Sequence, residues 1–489
     1  MLEQSPSPDP SARSLGPRES LAIWLLLTSA FVVILNETVM GVALPRLMED
    51  LSISAAAGQW LTTAFLLTMS VVIPITGMLI RRMRTRTLFL TAMSLFTAGT
   101  LISAVAPGFG VLVVGRVVQA GGTAIMMPLL MTTVITLVPA SIRGRLMGRI
   151  AIVISVAPAL GPTISGLILQ WLSWRWLFIF MLPIAATALL LGALRLPNVG
   201  EQRVAPIDAL SVLLSVVGFG GLVYGLSAVG EQANGGSGVP PWGPMLLGAI
   251  ALAAFIWRQI VLQREDRALL DLRTFTYLPF RLAAILFSFS SLALFGTLIL
   301  LPIYVQNVLG FETLESGLVL LPGGLLMGLL GPWVGRLVDR RGARFVLLPG
   351  TIATAIALWG MGLFTDSTSI WQVVVTYLVL CLGLAGVFTP LFSVSLGSLP
   401  GSLASYGSAT ISTVQQVAGA AGTALFVTVM TLVSASVAGS PEAVDAHALA
   451  AGTRAAFLMA GAAATIGAVL ACFVTEDPRA KSVSARSTR

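Results

Sequence analysis

Apolar stretches recur along the entire chain, separated by short polar connections. Their approximate bounds are 21–44, 56–80, 87–106, 109–138, 146–170, 176–196, 209–229, 243–263, 282–308, 316–338, 345–365, 370–395, 405–437 and 453–475. Each is long enough to cross a bilayer core as a helix, which takes about 20 residues. The pattern predicts an all-α integral membrane protein with about 14 transmembrane helices. Pro and Gly inside several runs are compatible with this, because neighbouring helices re-satisfy the freed backbone groups. The first run is too long for the core of a secretory signal, and no small-residue cleavage site follows it. It reads as a retained span.

Composition agrees. The 489 residues are 56% hydrophobic and 10% charged, against about 25% charged in soluble domains. The position of the charges says more than their sum of +8. With connections numbered alternately from the N-terminus, 24 of the 28 Lys and Arg fall on the N-terminal side, three on the other, and Arg116 inside a span. That bias orients a polytopic protein with its basic side, and so both termini, in the cytoplasm. It also removes the case for nucleic-acid binding. Cys381 and Cys472 both lie in apolar runs and His447 is the one histidine. Neither a disulfide framework nor a metal site is expected, and no cofactor. There is no HExxH, no GxxxxGK[ST] and a single lysine, so the chain reads as no enzyme and hydrolyses no ATP by itself.

Nearly all 20 acidic residues sit in connections or at span ends; Glu37 lies deep inside a span. A charge there costs roughly 2.5–3.5 kcal/mol on insertion scales, so Glu37 and Arg116 are functional candidates by default. Glu37 reads as a carboxylate that exchanges a proton as access alternates; the structural alternative is a fixed hydrogen-bonding partner. Arg116 reads as its coupling partner or as a permanent acceptor-satisfying cation, and Gln119, three residues on, suits either arrangement. Met126, Met127 and Met131 follow in the same run. They suit an adaptable cavity or face lipid. Span thirteen is polar at bilayer depth, with Gln415 and Gln416 as cavity candidates.

An internal repeat divides the chain. Pro74, Gly77, Leu79 and Arg82 match Pro332, Gly335, Leu337 and Arg340 at one offset, and Leu44-Pro45 matches Leu301-Pro302 at nearly that offset. Spans one and two thus correspond to nine and ten. The expected organisation is a tail over 1–20, a six-helix bundle over 21–196, linkers and two inserted helices over 197–281, a second six-helix bundle over 282–475, and a tail over 476–489. Repeated halves around a central site are an architecture of secondary transporters.

Several motifs resemble one family. Gly335-Arg-Leu-Val-Asp339-Arg340-Arg341-Gly342 resembles the cytoplasmic loop signature of the major facilitator superfamily; the first-half copy, Gly77 to Arg84, has Arg81 where the family has Asp and Arg84 where it has Gly. Asp339 suits an N-terminal helix cap or pairing with nearby arginines, and Gly77, Arg82, Gly335, Asp339, Arg340 and Gly342 become candidate gating residues. Gly115-Arg116-Val-Val-Gln119 resembles the R-x-x-Q-G motif tied to proton coupling. Ala157 to Gly166 resembles the antiporter motif, with Gly161, Pro162 and Gly166 as bend and packing residues. Leu35-Asn36-Glu37-Thr38 through Pro45 is similar to the first-span signature of the fourteen-span drug:proton antiporters, nearest the lincomycin-efflux branch. The family's acid position is Asn36 here. The acid stands one residue on, about 100° around a helix. The resemblance implies proton-coupled export of lipophilic drugs from the plasma membrane by a monomer, with Asn36, Gln119, Met127, Gln415 and Gln416 lining the cavity. An uptake permease of the same fold is the alternative. A non-transporting sensor or scaffold is the second.

Overall fold

Fourteen long helices account for almost all of the described residues. In the computed structural model, residues 16–53, 55–138, 140–198, 208–233, 240–265, 267–439 and 445–474 are described. The helices are α1 (Pro17–Leu51), α2 (Ala55–Arg82), α3 (Thr85–Ala104), α4 (Phe109–Leu137), α5 (Ala140–Trp171), α6 (Arg175–Arg195), α7 (Ala209–Ala233), α8 (Trp242–Leu262), α9 (Leu278–Asn307), α10 (Thr313–Arg341), α11 (Ala343–Met361), α12 (Ile370–Gly397), α13 (Ala404–Ala438) and α14 (Ala446–Ala471). No strand occurs among the described residues. Thirteen of these helices, all but α5, contain a stretch long and apolar enough to cross a membrane.

The apolar runs become helices because a chain in lipid must satisfy every backbone group within itself. Local chemistry sets several ends. Asp445 caps α14 by accepting the N–H of Ala448 at 2.8 Å, and Asp208 accepts the N–H of Ser211 at 3.0 Å ahead of α7. Gly439, at φ +78°, ends α13.

Packing falls into sets. Helix α1 packs on α4, α5 and α6, α2 on α4, and α3 on α4 and α6. Later in the chain, α9 packs on α12, α13 and α14, α11 on α12 and α14, and α10 on α12. Helices α7 and α8 pack on each other, and α7 also touches α2 and α13. Across the middle, α5 lies against α10 over a long contact, and α2 and α4 meet α13.

Tryptophans mark the two ends of the bundle. Trp171, Trp242 and Trp371, at the end of α5 and the starts of α8 and α12, are 82%, 70% and 74% exposed. Trp24, Trp257 and Trp333 lie toward the arginine-rich end and are 50–69% exposed. Exposed rings in two bands, with exposed aliphatics between them, match the interfacial belts of a membrane protein.

The repeat is visible in the helices. Pro74 lies inside α2 as Pro332 does inside α10. The turns that follow differ. Gly342 alone joins α10 to α11, at φ +89° and ψ 158°, a region that L side chains rarely adopt. In the first half two residues separate α2 from α3, and Arg84 is extended at φ −62° and ψ 138°. Arg84 in place of Gly thus goes with a different backbone path. Asp339 sits in the last turn of α10, and Gly342 is the N-cap of α11.

Candidate functional site

The buried charge of the bundle is organised around Arg116 on α4. It is fully buried. Its Nη1 donates to Asn36 Oδ1 of α1 at 3.1 Å and to Gln119 Oε1 at 2.7 Å. Gln119 passes the chain on, donating through Nε2 to Thr100 Oγ1 of α3 at 2.8 Å. Thr100 in turn donates to the carbonyl of Phe96 at 2.7 Å. The guanidinium lies 4.0 Å from the ring centroid of Phe65 on α2, a cation–π distance. Three helices and one ring thus hold a cation in the buried interior, where its Nε has no hydrogen-bond partner among the described residues.

Arg116 forms no ion pair with Glu37 among the described residues. The one-residue step on α1 explains this. Asn36, 1% exposed, faces Arg116, and Glu37 points to a neighbouring face, since successive helix residues are about 100° apart. The Glu37 carboxyl interacts with the side chain of Gln416 on α13 and senses the charge of Arg116 from further off. Gln416 Nε2 also lies 3.3 Å from Met69 Sδ of α2. The acid therefore sits where α1 and α2 face α13.

Gly161 of α5 abuts the next residue along α1. A Cβ at Gly161 would collide with Thr38 Oγ1. Helix α5 runs without a break through Gly161 and Pro162; the Pro162 side chain falls outside the described residues. Gly166 lies further along, in ordinary contact range of Leu314 on α10.

The arginine-rich end is tightly closed. A Cβ at Gly148 of α5 would collide with the carbonyl oxygen of Gly331 on α10. One at Gly77 of α2 would meet Ala409 Cβ at 3.0 Å and the Ser405 carbonyl at 3.3 Å, both on α13. Thr132 of α4 shares a 2.7 Å hydrogen bond with Ser408 of α13, and Arg81 lies 4.8 Å from the centroid of Tyr406. Gly335 is buried, while Arg82, Asp339 and Arg340 are exposed.

Sequence-derived candidates divide accordingly. Asn36, Arg116 and Gln119 come together in one network, and Glu37 and Gln416 meet beside it. Met126 and Met131 are buried in the core and Met127 is half-buried against it, so the lipid-facing reading is incorrect for Met126 and Met131, whose side of α4 faces other helices. Gln415 is half-buried, and no hydrogen bond joins it to the cluster among the described residues. Phe65, Met69, Thr38 and Thr100 were not among the candidates. Thr100 was one of several hydroxyls in its apolar run, and neither it nor Phe65 or Met69 carried a distinguishing mark.

Residues 26–423 match a family model described as Major Facilitator Superfamily. The chain is 42% identical to the uncharacterized MFS-type transporter YcnB of Bacillus subtilis (strain 168), over 94% of this chain and 96% of that one. It is 41% identical to the lincomycin resistance protein LmrB of Listeria innocua serovar 6a, over 92% of this chain and 95% of the relative. Among solved structures, that of the human organic anion transporter MFSD10 (TETRAN) superposes with a TM-score of 0.67 at 16% identity, covering 93% of this chain and all of the other. At that identity the likeness is one of fold.

Proposed function

The chain belongs to the Major Facilitator Superfamily, a membrane transporter and not an enzyme, and from that premise we propose that it expels lipophilic drugs, lincosamides among them, in exchange for protons. The observation that carries this reading is the placement of Glu37. A carboxyl group deep in a span is costly unless it is used. This one faces Gln416 across the boundary between the first six helices and the last six. An amide donates to a carboxylate and accepts from a carboxylic acid, so in this proposal a proton gained or lost at Glu37 changes what α1 offers to Gln416 of α13. Arg116, held by Asn36 and Gln119, supplies a fixed positive charge nearby.

In this proposal the arginine-rich end is cytoplasmic, with both termini there, and the working unit is a monomer in the plasma membrane. The first and last six helices form two bundles that rock about the site. The state described is closed toward the cytoplasm. A proton arriving from outside neutralises Glu37 and permits the cytoplasmic end to open. Drug then enters past Phe65, Met69 and Met127, and proton release restores the charge. One pH unit supplies about 1.4 kcal/mol and 100 mV about 2.3 kcal/mol per charge. One proton exchanged for a neutral drug thus sustains a gradient of several hundred-fold. The lincosamide range rests on the relatives named for lincomycin resistance.

Everted vesicles test the reading. Acidifying the lumen drives accumulation of lincomycin or a lipophilic dye by the native chain. Glu37→Gln inserts normally and loses that accumulation. Normal pH-driven export by this variant overturns the coupling role.

A further inference from the structure

We infer that Gln259, on the inserted helix α8, is a positioning residue for the transport cycle: it pins the connection 267–271 across the α2–α13 seam and so holds the arginine-rich end shut. Gln259 is fully buried, which is costly for an amide unless each polar atom is satisfied. Its Oε1 accepts the backbone N–H of Leu269 at 2.8 Å and of Leu270 at 3.3 Å. Its Nε2 donates to Ser211 Oγ of α7 at 2.9 Å. The Ser211 hydroxyl donates to the Asp208 carboxylate. That carboxylate also holds Arg258 of α8 through two bonds, at 2.6 and 2.7 Å. The end of the inserted pair is thereby rigid, and it is this end that grips the connection.

Held in place, the connection touches both sides of the seam. Leu269 and Leu270, 0% and 4% exposed, pack with Met78 of α2, Phe219 of α7 and Phe255 of α8. One residue earlier, the carbonyl of Ala268 accepts the hydroxyl of Tyr406 on α13 at 3.2 Å. The ring of Tyr406 lies beneath Arg81 of α2. For this end to open, α2 and α13 must separate. A segment anchored in the inserted pair and bound to both opposes that separation. The extra two helices thus act as the mount of a bolt, which accounts for a buried amide that the proton and drug site leaves unused.

The test reads the seam directly, without drug or proton gradient, so its outcome stands whether or not the chain exports drugs. Ser408→Cys places a thiol in the seam, where Ser408 is 1% exposed; Cys381→Ala and Cys472→Ser remove the native thiols. The purified full-length protein in lipid nanodiscs is alkylated with N-ethylmaleimide. Tyr406→Phe keeps the ring and removes one hydrogen bond, and raises the alkylation rate about fivefold, the shift that one net bond confers. Gln259→Leu removes the acceptor for two N–H groups and raises it further. A role confined to packing the α7–α8 pair lowers the melting temperature and leaves alkylation unchanged; monodisperse variants alkylated at the parental rate overturn the inference. If Gln259→Leu does not fold, Tyr406→Phe decides alone.

Discussion

Where the family pattern has one acidic residue, this chain has Asn36 followed by the acid, Glu37. The amide takes the buried guanidinium and the acid takes the neighbouring face toward α13. Arg116 is suited to its place because one terminal nitrogen, Nη1, serves two acceptors while the flat face of its guanidinium rests on Phe65. Lysine is a point charge on a flexible stem, with donors of its own but no flat face to lay on the ring. Arg116→Lys is therefore expected to lower stability by about 2 kcal/mol, the worth of a hydrogen bond to a charged group, and to cut drug efflux at least tenfold. Thermal melting and vesicle efflux, measured side by side, check both numbers; native efflux by this variant refutes the requirement for a guanidinium. Glu37 and Arg116 were legible in the sequence because buried charge is rare in lipid. Their separation was not. Spacing along a helix says which face a side chain takes and nothing about what stands opposite, so the meeting of Glu37 with Gln416 needed the packed structure.

Helix α5 shows how an element acts on the site without contributing a charge to it. Gly161 brings its backbone against Thr38, beside the acid. A methyl group at that position has no room unless Thr38 yields. Gly161→Ala should destabilise the protein by about 1–3 kcal/mol, the usual cost of overpacking, and reduce efflux with it. Thr38→Ala removes the clashing oxygen, so the double variant should recover part of both losses. A double-mutant cycle in which the two changes merely add shows that the α1–α5 contact is not what Gly161 serves. At this scale the sequence was informative about position and silent about length. Run 453–475 begins seven residues after the start of α14, because the helix extends back to an Asp445 cap that hydropathy does not register. The bolt around Gln259 was equally hidden. In sequence it is one amide beside Arg258 in an apolar run, and its meaning depends on two backbone N–H groups about ten residues away.

For the whole molecule, the question is which charges respond to pH. Hydrogen bonds from Arg258, then from Ser211, hold the Asp208 carboxyl well below the usual carboxylate range. A carboxyl depressed in the folded state contributes stability above its unfolded value, about pH 4, and loses it only as pH falls through the folded value. The anchor of the bolt therefore stays ionised across the working range. Asp208→Asn should lower the melting temperature by a similar amount at pH 5 and pH 8. Its transport should keep the native pH profile, whereas that profile should vanish in Glu37→Gln. A pH-dependent cost of Asp208→Asn between those values contradicts the assignment. The two turns that repeat across the halves have a mechanical consequence of their own. A single residue reaches at most about 3.6 Å, so the joint at Gly342 has no slack, and α10 and α11 must swing as one stiff elbow. The joint at 83–84 has a residue in reserve. The two halves are therefore unequal as machines: the later one transmits displacement faithfully, and the earlier one has play to absorb it.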